Sequence, residues 1–262
     1  EFYRVRVGTL MDQMESAEVV RENKTNMTSE EQVKAILNTT RELDQKKAVI
    51  YEQLMGELEP KGIRLINFNK LSADEGKLLE TYFDHEIAPY LSANIVSKQQ
   101  PFPFLKNKDI YAVALLETKG GKSKTAIIPC SNNVFKRLID IPTRKGTFML
   151  SEELILHFLP KMFKNYEVKE KSLIRVTRNA DIDTETIYDE DLDYREAMES
   201  LIKQRKRMNP VRIELSRELN KKMIRSLCKD IHVEKEHVFL TRVPLDMSFV
   251  FALQSYLKGT EQ

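Results

Sequence analysis

At 262 residues the chain can form one large domain or two smaller ones. Apolar side chains make up 41% and charged ones 31%, the balance of a globular protein that buries a core beneath a solvated surface. With 42 basic against 40 acidic side chains the formal charge is only +2, so no whole-chain field favours nucleic acid or a membrane surface.

Residues 1–20 carry a loose helical stripe of Val5, Leu10, Met14 and Ala17, broken by the polar residues 21–27. Thr28 and Glu31 have capping-box spacing, in which hydroxyl and carboxylate each satisfy a free backbone N–H. Val33, Ile36, Leu37, Leu43, Ile50, Leu54 and Leu58 then keep close to one helical face, and Pro60 and Gly62 end the helix. The expected unit is a two-helix antiparallel piece that must dock on something else to hide its stripe.

From Ile63 the texture changes. Residues 63–68 read as a short strand, and Ser72 with Glu75 caps a helix to about residue 83. Pro101-Phe102-Pro103-Phe104 is a stiff apolar corner. The β-rich runs 110–117 and 125–128 flank Lys119-Gly120-Gly121-Lys122, a hairpin signal. Strands are expected at 134–139, 147–150, 172–177, 211–215 and 237–241. Helices are expected at 151–163 with Ser151 as cap, at 192–207, 217–229 and 246–257. Mixed helices and strands with a hairpin predict an α+β fold.

Four groupings invite a functional reading. Gly121-Lys122-Ser123 lacks the earlier glycine of a phosphate loop, since Leu116 stands there, and a strand follows, so a hairpin turn is the better reading. The acidic run from Asp181 to Asp193 has Thr186 and Leu192 where a calcium loop needs glycine and glutamate, and reads as a solvated loop. Lys203, Arg205, Lys206 and Arg207 suit the C-terminal end of a helix, and they also suit contact with phosphate oxygens. Nucleic acid is not the expected partner, because no aromatic stacking platform accompanies these charges. His85, His157, His232 and His237 show no metal spacing, and no nucleophile–base arrangement emerges; His157 reads as a packed helix residue.

Cys130 and Cys228 are too few for a disulfide framework and fit a reducing compartment. No apolar stretch approaches the roughly 20 residues of a membrane span, and no secretory signal opens the chain, so a cytoplasmic location is expected. Glu1-Phe2-Tyr3-Arg4-Val5-Arg6-Val7 begins a helix with no cap ahead of it, an opening best explained by a cut inside a longer protein.

Four motifs in order resemble the bacterial polyphosphate kinases. The opening heptad is similar to the family's Glu-Phe-aromatic-x-Val-Arg. Pro101-Phe102-Pro103-Phe104-Leu105 resembles His-Pro-Phe-Pro-Phe-Leu, with Gln100 in place of the histidine. Arg175-Val176-Thr177-Arg178-Asn179-Ala180-Asp181 resembles the Arg-x-Thr-Arg-Asn-Ala-Asp signature, and Pro210-Val211-Arg212-Ile213-Glu214 the following strand. The resemblance spans nearly the whole chain.

It implies a parent enzyme that reversibly transfers the terminal phosphate of ATP to polyphosphate through a phosphohistidine, with magnesium. By the same resemblance the phosphohistidine and most ATP and magnesium contacts lie in C-terminal domains absent here, and the nucleotide-pocket asparagine falls just before Glu1. Residues 1–61 are then the end of a helical N-terminal domain, and residues 62–262 a head domain through which subunits associate. This segment is expected to hold no catalytic group, cofactor or metal. Candidate polyanion contacts are Arg4, Arg6, Lys203, Arg205, Lys206 and Arg207, and candidate subunit contacts are Phe102 and Phe104. The alternative is a stand-alone interaction module of the same fold that binds a protein partner or polyanion without catalysis.

Overall fold

The structure is a computed structural model that describes all residues except 17, 18, 20, 132, 180–194, 196–198, 200–201, 203–207 and 261–262. The chain opens in a π-helical turn, Tyr3–Val7, that runs into α1 (Gly8–Met14). Helix α2 (Ser29–Leu58) starts at the anticipated capping box: the Thr28 hydroxyl accepts from the Glu31 backbone and the Glu31 carboxylate accepts from the Thr28 backbone. Tyr3 bonds Thr40 at 2.7 Å while Ser29 bonds Gln13 at 2.9 Å, so the two helices run antiparallel. Leu10, Val33 and Leu37 close over Phe239, which docks this helical pair on the remainder of the chain.

Two sheets form that remainder. The smaller is ordered β1-β6-β5, from β1 (Arg64–Leu65), β5 (Leu138–Asp140) and β6 (Thr147–Leu150). It is tied to the end of α2 where Gly62 and Gly146, both at positive φ, let two backbones approach so closely that a Cβ on Gly146 would strike the Gly62 carbonyl. The larger sheet is ordered β2-β4-β3-β7-β8-β9. Its strands are β2 (Asn94–Ile95), β3 (Ile110–Glu117), β4 (Ser123–Pro129), β7 (Glu167–Arg178), β8 (Pro210–Leu215) and β9 (Val238–Leu240).

The period of two along β3 explains the layering. Ala112, Ala114 and Leu116 face α3 (Ala73–Tyr82) and α4 (Ser151–Met162), meeting Leu79, Leu154 and Ile155. Tyr111 and Val113 face the other way, toward Met223, Leu227 and Ile231 of α5 (Lys221–Ile231). Each such buried aliphatic side chain contributes about 1.5–3 kcal/mol. Helix α6 (Val250–Thr260) packs Leu253 into a third cluster with Phe148 and Leu150. A helical N-terminal piece followed by mixed sheets and helices is the α+β arrangement anticipated above.

Local expectations fared unevenly. The Ser72–Glu75 capping box and the 110–117 hairpin are present, with Gly121 at φ 74 in the turn. Ser151 does not cap its helix; Leu150 precedes α4 in extended geometry with no side-chain cap bond, because strand β6 feeds the helix directly and the Ser151 N–H donates to the Arg137 carbonyl. Strand β5 is shorter than expected, β7 is longer, and α5 begins later, at an Asn220 cap. Val5, Met14, Leu43, Ile50 and Leu54 are exposed, since docking on Phe239 covers Val33 and Leu37 instead. Of the expected helix at 192–207, residues 195, 199 and 202 are described and are helical; the rest lies outside the described residues.

Candidate functional site

The signature arginines act as clamps. Arg178, the last residue of β7, donates from Nε to the Leu105 carbonyl at 2.9 Å and from Nη1 to the Met208 carbonyl at 2.8 Å. Its guanidinium lies 4.2 Å over the Phe104 ring, and burial lowers its pKa to about 10, opposed by Tyr111. Arg175 donates to the Lys108 and Leu245 carbonyls at 3.0 and 2.5 Å. Arg178 ties the Pro-Phe corner to the sheet, and Arg175 ties the residues before β3 to those before α6, which suits arginine's several fixed donors. Phe104 is thus the floor of a cation–π contact, and Phe102 packs against the α5 side of the core. Both rings are half-buried.

Arg4 and Arg6 are not brought to one partner. Arg4 is half-buried and 3.8 Å from Glu1, whereas exposed Arg6 donates to Gln32 at 2.6 Å. Their neighbour Tyr3 sits edge-on to Phe239 and beneath the Arg212 guanidinium, at 4.5 Å; Arg212 also pairs with Glu214 at 2.9 Å. Lys203, Arg205, Lys206 and Arg207, and the acidic run, lie outside the described residues.

The histidines and cysteines have identifiable places. Buried His237 bonds the Val211 carbonyl through Nδ1 at 2.9 Å, and His232 adopts the left-handed conformation that closes α5. His157 is a residue of α4, as expected; exposed on one side, it packs its ring flat on Phe68 with centroids 3.4 Å apart. Burial, then Lys171, lowers its pKa. Burial pushes the Cys130 thiol up, which disfavours the nucleophilic thiolate. Among the described residues no group of three His, Cys, Asp or Glu could hold a metal ion, and no helix is long and apolar enough to cross a membrane.

One open feature gathers cations that are far apart in sequence. A cavity of about 440 Å³ is lined by Asn67, Ser216, Arg217 and Arg242, and one of about 230 Å³ by Asn67, His157, Lys171 and Arg217. Asn67, Glu153 and Arg217 line both, so the two cavities adjoin. The acids along it are engaged: Glu153 pairs with Arg217 at 2.5 Å and Glu152 with Arg137 at 2.7 Å. The exposed Arg242 also lines a neighbouring cavity beside Asp44 and Glu52. Among the described residues Lys171 donates to the His157 carbonyl, at 3.2 Å, and burial, then Arg217, lowers its pKa. The sequence offered no sign of this grouping, because no local motif joins positions 67, 171, 217 and 242.

Comparison with known proteins gives a consistent result. The polyphosphate kinase N-terminal domain matches residues 1–66 and the polyphosphate kinase middle domain matches residues 74–253. The chain is 33% identical over 263 residues to the polyphosphate kinase of Halalkalibacterium halodurans, covering 98% of this chain and 37% of that protein. It is 30% identical over 267 residues to the Bacillus anthracis polyphosphate kinase, covering 98% and 38%. The chain therefore spans a little over a third of the length of these curated relatives. The crystal structure of polyphosphate kinase from Porphyromonas gingivalis shares the fold at a TM-score of 0.66 and 21% identity, over 92% of this chain and 32% of that one.

Proposed function

The chain belongs to the polyphosphate kinase family, and from that premise we propose that it is the non-catalytic N-terminal and head segment of a polyphosphate kinase. The parent enzyme reversibly passes the terminal phosphate of ATP to polyphosphate through a phosphohistidine, with magnesium, in the cytoplasm. Residues 1–61 serve as the helical N-terminal domain and residues 62–262 as the head through which subunits associate. What supports the non-catalytic role is the use made of the signature cations: Arg175 and Arg178 spend their donors on backbone carbonyls instead of facing a reactant.

Incubating the purified chain with ATP, magnesium and a polyphosphate primer tests this directly. No turnover above the blank is expected. Turnover that disappears on substituting one of the four histidines would overturn the role. For the assembly role, sedimentation at high micromolar concentration is expected to show species larger than the monomer, and a strict monomer would remove it.

A further inference from the structure

We propose that Lys171 is an acylation site, whose amine takes a small acyl group from an acyl phosphate in the cavity it shares with Asn67, Phe68 and His157. Lys171 stands half-buried in β7, and its ammonium donates to the neutral His157 carbonyl at 3.2 Å. The acid on the wall of this cavity is Glu153, and Arg217 takes both of its oxygens, at 3.2 and 2.5 Å. Arg217 lines the same cavity, so a second cation acts on Lys171. Two residues earlier in the strand, Lys169 is held differently, paired with Glu117 and Glu167 at 3.6 and 2.7 Å. Lys161 is paired likewise, with Glu80 and Asp84 at 2.8 and 2.6 Å. An ammonium bound to a carboxylate keeps its proton, whereas one held against a carbonyl and a guanidinium gives it up more readily.

Burial, then Arg217, shifts the Lys171 amine toward its neutral, nucleophilic form. Burial, then Lys171, likewise favours the neutral imidazole of His157. In the step itself the neutral Nζ attacks the acyl carbon, and a new C–N bond replaces the C–O bond to phosphate. Inorganic phosphate leaves with the electron pair and takes the surplus proton of the amine. The selectivity lies in the amine, so the phosphate end of the donor needs no binding site of its own. The product is a neutral amide, which ends the repulsion by Arg217 and the desolvation of a half-buried charge. A cavity of about 230 Å³ admits a donor the size of acetyl phosphate but not one that carries a nucleotide.

The test incubates the full chain with acetyl phosphate at mildly alkaline pH and follows the acetyl occupancy of each lysine by mass spectrometry. Lys171 is expected to react about fivefold faster than Lys119 and Lys122, the exposed lysines of the turn between β3 and β4. Glu153→Gln leaves the Arg217 charge uncompensated, and a further rise of about threefold at Lys171 is expected. Arg217→Gln removes that charge and frees Glu153 to pair with the ammonium, so a fall to the rate of the turn lysines or below is expected. Neither variant is expected to alter Lys119 or Lys122, with thermal melts confirming that each folds. In denaturing urea the three rates of the unaltered chain are expected to converge. A Lys171 rate no higher than that of the turn lysines in the folded chain overturns the proposal, as does a preference that survives urea. Folded variants that leave the Lys171 rate unchanged overturn it as well. An equal preference for Lys171 by acetyl coenzyme A overturns the choice of a small donor.

Discussion

Gly8 lies against Asn179 so closely that a Cβ at position 8 would stand 2.6 Å from the Asn179 Cβ. The contact joins the first helix to the end of β7, where the family signature sits. Alanine favours helix over glycine by about 1 kcal/mol, so a free helix would gain from Gly8→Ala. Here overpacking opposes that gain with about 1–3 kcal/mol, and a net loss of stability is expected in urea unfolding. Adding Asn179→Gly removes the opposing Cβ and is expected to restore most of the loss. A stabilising Gly8→Ala would show that the two elements separate easily.

Glu75 gives the fold a defined response to acid. The Thr143 hydroxyl, the Ser72 backbone N–H and the Arg144 guanidinium hold its carboxyl at about 2, down from the ordinary 4.5. A depressed folded-state pKa stabilises the native chain above 4.5, and that contribution is lost as pH falls through 2. Glu75→Gln is expected to lower the urea midpoint at neutral pH, and the gap between variant and parent is expected to narrow steadily as pH falls from 4.5 toward 2. A gap that stays constant with pH would mean that the carboxylate's charge is not what the cap uses.

Arg178→Lys is expected to be far from conservative. A lysine presents one ammonium and cannot reach the Leu105 and Met208 carbonyls while lying flat on Phe104. Leaving one buried carbonyl unsatisfied costs about 1–3 kcal/mol, so a loss in that range is expected in chemical denaturation. Phe104→Leu keeps the apolar volume and removes the ring, and about 0.5–2 kcal/mol is expected to go with it. Arg178→Lys/Phe104→Leu should then cost less than the two single losses added together, because both act on one contact.

Local chemistry was legible in the sequence and long-range partnership was not. Both capping boxes and the Gly120-Gly121 hairpin follow from residues within a few positions of each other, and they stand where expected. The apolar stripe of α2 placed Leu43 and Ile50 near Val33 and Leu37 on one face, but periodicity does not say which part of a face is covered; Phe239, some two hundred positions away, decides that. Ser151 looked like a cap because serine suits the role, yet a strand running straight into α4 left nothing for it to cap. Asn67, Lys171, Arg217 and Arg242, which line the two adjoining cavities, come from four separate segments. Only the folded chain brings them together.

Thiol labelling reports on opening of the core. Cys130 is buried, and burial, then Glu152, pushes its thiol up; half-buried Cys228 is raised chiefly by burial, then by Glu234 and Glu236. Both are expected to react more slowly than a free cysteine at neutral pH, with Cys228 first and Cys130 only when the sheet opens. The rate at Cys130 therefore reports opening of the strands that carry Ile110 and Ile128, its backbone neighbours in β3 and β4. Sub-denaturing urea is expected to speed Cys130 labelling several-fold and to leave Cys228 labelling nearly unchanged, since exposure of Cys228 does not require the sheet to open. Labelling of Cys130 as fast as that of Cys228 in the absence of urea would mean that the sheet opens freely.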